Sequence, residues 1–213
     1  MISLIHPSKG RPQKSFDNAK DWINKAAVPV ELIVSIDFDD PFKIDYTTRY
    51  FDYPCNLICE QNTSVVEATN KAARLAKGDI LIYLSDDFKC FDGWGIAVEK
   101  EFQNEDRPLL VKVDDCLQKF SVPVLTIPIM NRALYHKLGY FWHPDYKSMF
   151  VDEDLYWTCQ KLGAMKYAPH LKFPHHHVCI GKAEDDDTYR ASSANWEQGK
   201  AVYLSRKSEG FPL

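Results

Sequence analysis

Ser85-Asp86-Asp87 follows directly on the apolar run Ile80-Leu81-Ile82-Tyr83-Leu84, so two adjacent carboxylates stand where a buried strand ends. Aspartate oxygens are hard ligands suited to Mg²⁺ or Mn²⁺, and a cation held there can in turn hold a diphosphate. A run of large apolar residues without polar alternation reads as a strand covered on both faces, as in a parallel sheet, and ligands bind beyond the carboxyl ends of such strands. One acidic cluster alone would more often be a solvated turn. This chain has a second, Asp37-Phe38-Asp39-Asp40, after the apolar residues 30–36, and a third, Asp152-Glu153-Asp154, opening a helix. For the third set a plainer account exists, since acids in a first helical turn complement the helix dipole. Lys9 and Arg11 lie in the loop His6-Pro7-Ser8-Lys9-Gly10-Arg11-Pro12, where the neighbouring Gly10 and Pro12 favour contact with a diphosphate over a merely solvated loop. In His175-His176-His177 the first and third side chains share one face of an extended chain and the second opposes them, so all three cannot ligate one ion. A solvated histidine run is an equal alternative.

The elements that must position these groups follow from periodicity. Residues 2–5 form a short strand, and Phe16, Ala19, Ile23 and Ala26 recur at helical spacing before the strand 30–36. Residues 56–59 form a short third strand. Ser64 with Glu67 then makes a capping box for a helix carrying Val65, Ala68, Ala72 and Leu75 on one face, with Gly78 placed to end it. Strand and helix alternate up to Asp87, and right-handed crossovers bring both acidic strand ends to the same edge. Farther on, the pattern predicts a helix over 96–102, a strand over 109–113 and an edge or irregular strand over 122–129, which contains Pro123 and Pro128. A helix over 131–138, an aromatic loop over 140–150, a helix over 154–162 stopped by Gly163 and an extended piece at 171–174 complete that half. The last piece opens with Glu184-Asp185-Asp186-Asp187 and continues as one helix with Tyr189, Trp196 and Tyr203 seven apart. Trp94 is placed to pack under the loop that follows Asp87, and Arg190 and Arg206 read as partners in surface salt bridges.

With 213 residues, 45% of them hydrophobic and 13% aromatic, the chain can bury one substantial core. Its formal net charge of -4 gives no global attraction to nucleic acid or to anionic membrane, so an anionic ligand needs a metal or local cations. Six cysteines without paired CxxC spacing sit mostly in or beside apolar runs expected to be buried, and read as reduced core thiols. Neither a charged leader before an apolar segment nor a membrane-length apolar stretch is evident, which predicts a soluble, cytoplasmic protein.

Taken in order, the proline-containing first loop, the strand ending in Asp37, the helix that follows Asn62, Gly78-Asp79 leading through a strand to Ser85-Asp86-Asp87, and the late Asp152-Glu153-Asp154-Leu155-Tyr156-Trp157 with downstream Gly163, Pro169 and histidines resemble a GT-A fold glycosyltransferase, family-2-like. The resemblance covers most of the chain and is best matched from Asn62 to Asp87. It implies an α/β fold of GT-A type, a Rossmann-like, open, mostly parallel sheet flanked by helices in a single domain. Residues 1–94 would form the nucleotide-sugar-binding half, 95–183 the acceptor and catalytic half, and 184–213 a C-terminal helix packed on the domain.

By position, the resemblance places Pro7 and Ser8 against the nucleotide base, Asp37 on its ring N–H in a contact that favours uracil, and Asp86 near the ribose and metal, with Lys9, Arg11 and Asn62 also on the donor. Asp87 would ligate Mn²⁺ or Mg²⁺, with His175, or His177 in the other register, completing the shell. Asp152 would be the general base, with Asp154 as fallback; Val151 stands where many relatives carry a Glu. The implied reaction moves a sugar from a UDP-linked donor to an acceptor hydroxyl with inversion. A saccharide, a protein and a hydroxylated DNA base all stay open as acceptors, and the aromatic loop Tyr140, Phe141, Trp142, His143 and Tyr146 is a candidate acceptor wall. DNA binding would act through a local cluster such as Lys9, Arg11 and Lys14 and would weaken steeply with salt. Two other classes are weighed against this one. A nucleotidyltransferase should carry a glycine-rich phosphate loop after its first strand, where this chain has only Gly10, and a non-catalytic sugar-nucleotide binder would tolerate loss of Asp152.

Overall fold

The computed structural model describes residues 1–183 and 185–213, so Glu184, the first acid of the C-terminal cluster, lies outside the described residues. The elements run β1 (Ile2–Pro7), α1 (Pro12–Lys25), β2 (Val30–Asp37), α2 (Lys43–Tyr50), β3 (Asn56–Glu60), α3 (Val65–Leu75), β4 (Ile80–Tyr83), α4 (Trp94–Glu101), β5 (Leu110–Asp114), β6 (Ile129–Asn131), α5 (Arg132–Leu138), α6 (Val151–Lys161), β7 (Met165–Lys172), α7 (Asp187–Ser193) and α8 (Trp196–Ser208). They build one α/β domain around a seven-stranded sheet of order β3-β2-β1-β4-β6-β5-β7. β1 pairs in parallel with both β2 and β4, so the acidic ends of β2 and β4 emerge at one edge on either side of the loop after β1. β6 runs antiparallel to β4 and to β5, and β7 is parallel to β5.

The unbroken apolar runs have the cause that the pattern implied. Leu4, Val34 and Ile82 face a core shared with Trp22, Tyr46 and Trp94, while their neighbours Ile5, Ile33 and Leu81 face a second core with Val66, Leu134 and Leu155. Both sheet faces are dry, and polar alternation would leave unsatisfied groups on one of them. Ser64 caps α3 by accepting a hydrogen bond from the Glu67 amide at 3.1 Å. The return bond reaches one residue farther than the usual box: Glu67 accepts from the Thr63 amide at 2.8 Å and from the Thr63 hydroxyl at 2.7 Å. Those bonds, with the pairing to Lys71, hold the Glu67 pKa down at about 2.

Several expectations change. α2 carries no strong apolar run and is absent from the pattern; its buried residues are Tyr46 and Tyr50, one helical turn apart. The strand expected over 122–129 does not form, since prolines cannot donate to a ladder; of its residues only Ile129 belongs to a strand, β6. Gly78 does not cap α3 in a left-handed conformation. A Cβ there would lie 2.6 Å from Ser3 Oγ and 2.7 Å from Ser3 N, so the glycine lets the start of β4 approach β1. The C-terminal helix is broken into α7 and α8 between Ser193 and Trp196, which sends its aromatic residues in different directions. Burial was expected of most of the cysteines: Cys159 is buried and Cys55, Cys59 and Cys90 are half-buried, but Cys116 and Cys179 are exposed. Among the described residues no helix is long and apolar enough to cross a membrane.

Candidate functional site

A cavity of about 480 Å³ opens at the edge where β1, β2 and β4 end, and Pro7, Ser8, Lys9, Arg11, Asp37, Asn62, Asp86, Asp87, Asp152, His175 and His177 all line it. Side chains up to 170 residues apart in sequence therefore share one wall.

Of the acids after β2, only Asp37 faces the cavity. It accepts from Lys9 Nζ at 2.7 Å and from Asn62 Nδ2 at 2.8 Å. Asn62 Nδ2 also donates to the Glu60 carbonyl at 3.2 Å, which fixes the amide so that its Oδ1 is turned away from these acceptors. Asp40 instead accepts from the Gly10 and Phe42 amides at 2.7 and 2.8 Å and holds the loop after β1 in place. That loop needs its glycine, because Gly10 has φ +72°.

The turn after β4 is clamped from α1. Asn18 Nδ2 donates to the Ser85 carbonyl at 2.8 Å and Trp22 Nε1 to the Phe88 carbonyl at 3.1 Å. Trp94 lies under this turn as expected: its Nε1 donates to the Trp22 carbonyl at 2.7 Å, and Trp22 stacks on Phe173. Asp86 is buried, accepts from Ser8 Oγ at 3.0 Å, and lies 3.4 Å from His6 Nε2 and 3.7 Å from Arg11. Burial pushes its carboxyl above the ordinary range despite the opposing pull of His6, Arg11 and Ser8. Asp87 is equally buried, but there burial is outweighed by hydrogen bonds from His175, Tyr189 and Ser85, which hold its carboxyl below the usual range. The backbone of 173–177 brings His175 in: the His175 amide donates to the Asp115 carbonyl and the His176 amide to the Asp87 carbonyl, each at 2.9 Å. His175 Nε2 then stands 3.3 Å from Asp87 Oδ2, and the His177 ring is 5.0 Å from that of His175. The extended-chain rule held, for these two histidines face the cavity together.

Asp86 Oδ1, Asp87 Oδ1 and His175 Nδ1 are buried without any hydrogen-bond partner. Orphaned carboxylate oxygens beside an imidazole are a donor set that suits Mn²⁺ or Mg²⁺. Among the described residues no three His, Cys, Asp or Glu side chains cluster closely enough to hold an ion alone. Such a site fits a cation that takes the rest of its shell from a ligand.

Asp152, in the first turn of α6, faces the cavity from the opposite half of the sheet. Burial, and then the charge of Asp115, raise its pKa above the ordinary carboxylate value. Asp154 does not line the cavity. It is buried and accepts from Arg206 Nε at 2.6 Å and from the Tyr146 hydroxyl at 2.9 Å, so the fallback assignment is corrected. Arg206 is likewise no surface residue, although Arg190 does pair with Asp185 and Asp187 at the surface. Of the aromatic loop, Phe141, Trp142 and Tyr146 are buried, and only Trp142 reaches the cavity wall.

Tyr189 is a site residue that the pattern missed, because its spacing with Trp196 and Tyr203 read as one helix face. Trp196 and Tyr203 pack on Phe150, with ring centroids 4.7 and 5.7 Å away, while the Tyr189 hydroxyl donates to Asp87 Oδ2. Lys147, Thr126 and Asn195 also line the cavity without any motif to announce them.

No protein-family model and no curated protein matches the sequence. Solved structures do match in fold. A mannosyltransferase from Pyrobaculum calidifontis in complex with GDP-Man and Mn²⁺ superposes over 96% of this chain and 64% of that one, with 15% identity and a TM-score of 0.72. Glucosyl-3-phosphoglycerate synthase from Mycobacterium tuberculosis, in complex with Mn²⁺, UDP and phosphoglyceric acid, matches over 97% and 78%, with 17% identity and a TM-score of 0.66. Residues 1–349 of S. aureus TarS match over 81% and 59%, with 13% identity and a TM-score of 0.60. The chain thus spans less than two thirds of the mannosyltransferase and of that TarS fragment. At these identities the likeness is one of fold, and the fold is the GT-A fold expected from the sequence.

Proposed function

We propose that this protein is a metal-dependent glycosyltransferase that moves a sugar from a UDP-linked donor to an acceptor hydroxyl with inversion. The observation that carries the reading is the convergence of Asp37, Asp86, Asp87, His175 and Asp152 on one cavity. Support also comes from the GDP-Man and UDP held by proteins of the same fold. Nothing in the cavity favours nucleotidyl transfer or simple binding over this reading.

In this reading Asp37 accepts the ring N–H of the base, held at the correct angle by Asn62, while Pro7 and Ser8 line the base and Asp86 the ribose. Lys9 and Arg11 meet the donor's negative charge. Asp87 and His175, with His177 alongside, hold Mn²⁺ or Mg²⁺, which when bound neutralises charge building on the diphosphate leaving group. Asp152 takes the proton from the acceptor hydroxyl as the bond from that oxygen to the anomeric carbon forms. The bond from the anomeric carbon to the phosphate oxygen breaks, and its electron pair leaves with the diphosphate. A carboxylate with a raised pKa accepts that proton more readily than an ordinary one. The acceptor is an alcohol in the saccharide, protein or hydroxylated-base classes.

A thermal-shift screen of nucleotide sugars with and without Mn²⁺ tests the donor assignment, because a ligand that binds only the native state raises the melting temperature. A UDP-sugar should raise it most, and only with the metal. A shift given by no nucleotide sugar would end the reading.

A further inference from the structure

Helix α7 lies along the cavity and supplies Thr188, Tyr189 and Ser192 to its wall, yet none of its own residues is buried. Polar contacts tie it to both rims. Arg11 Nε and Nη2 donate to the two oxygens of Asp186, just before α7, at 2.6 and 2.5 Å, and Thr188 Oγ1 donates to the Lys9 carbonyl at 2.9 Å. On the far side Ser148 Oγ donates to the Ser192 carbonyl at 3.0 Å. Between them the Arg11 guanidinium sits 4.6 Å over the Tyr189 ring, and the Tyr189 hydroxyl donates to Asp87. α8 is held differently, through the buried Arg206.

These contacts consume the groups that a donor would use. Asp186 sets an anion on Arg11, a cation suited to a diphosphate, and Tyr189 sets a proton on the Asp87 oxygen that His175 also faces. Beneath them Asp86 Oδ1 and Asp87 Oδ1 are sealed from solvent and accept no hydrogen bond, although His6 Nε2 lies 3.4 Å from Asp86 Oδ1. A buried carboxylate oxygen without a partner is unfavourable, so the covered site is poised to trade these contacts for those of a ligand.

We propose that residues 186–189 are an internal plug: their carboxylate and phenol occupy the position of the donor diphosphate and its cation, and α7 must leave for the donor to bind. The inference rests on the donor assignment above. A helix held by polar contacts and no buried side chain opens at low free energy, and a ligand that binds only the open form has its affinity reduced by the closed fraction.

Calorimetric titration of UDP, and separately GDP, in the presence of MnCl₂ into the wild type, Asp186→Asn and Tyr189→Phe tests this, together with hydrogen exchange of the α7 amides. Each variant should bind about five- to tenfold more tightly, as expected when one closing hydrogen bond is lost. The α7 amides of the wild type should exchange faster once the nucleotide binds. Unchanged or weaker binding by both variants, with α7 more protected in the complex, overturns the plug and leaves the donor assignment standing. Failure of every protein to bind either nucleotide overturns the donor assignment, and the plug with it.

Discussion

The end of β4 and the first turn of α6 each present acids close together in sequence, and the fold separates them by different means. Asp86 and Asp87 lie in one turn, and both reach the cavity. Their neighbours distinguish them: burial dominates at Asp86, whereas His175 and Tyr189 overturn it at Asp87. Asp152 and Asp154 lie on a helix, where residues two apart point about 200° from each other. One had to face the cavity and the other the core, where Arg206 receives it. Paired carboxylates in a strand-end turn can share a ligand; on a helix, at this spacing, they cannot.

The division at α6 is tested first by Asp152→Asn. If Asp152 is the base, sugar transfer falls about 10² to 10⁴-fold while calorimetric nucleotide affinity is unchanged. In the wild type, activity should be lost as pH falls through the Asp152 pKa, because the protonated acid cannot accept the acceptor's proton. Since burial raises that pKa, the acid limb of kcat/KM should lie above the ordinary carboxylate value. Full transfer by the Asn variant would remove Asp152 from this role.

Asp154→Ala should act on stability instead, by about 3–5 kcal/mol in urea unfolding, because it leaves the Arg206 charge buried and unpaired. Adding Arg206→Met should recover most of that loss. A single variant as stable as the wild type would show that the pair is not the anchor of α8. At the β4 end, Gly78→Ala should cost roughly 1–3 kcal/mol by forcing β1 and β4 apart. The smallest effect belongs to Ser64→Ala, about 1 kcal/mol from the lost α3 cap, readable in the urea midpoint.

The β1, β2 and β4 side of the cavity was largely legible because its signals are local. Apolar runs that end in acids marked β2 and β4, and the parallel pairing with β1 then follows from the alternation of strand and helix. α2 was not legible, since Lys43, Asp45, Thr47, Thr48 and Arg49 give it a polar surface and only Tyr46 and Tyr50 turn inward. The insertion of β6 between β4 and β5 was hidden for a similar reason: a strand of three residues carries too little periodicity to announce its direction.

Side chains a few residues apart were enough to mark the buried strands β1, β2 and β4, the ends of β2 and β4 where carboxylates emerge and the start of α3. What each acid meets is set by the packing of distant elements. Asp154 finds Arg206 across 52 residues and Asp87 finds Tyr189 across 102, and pairings at such separations follow from how whole elements pack. The role of a carboxylate depends on its burial and on its nearest charges, and both are properties of the packed molecule.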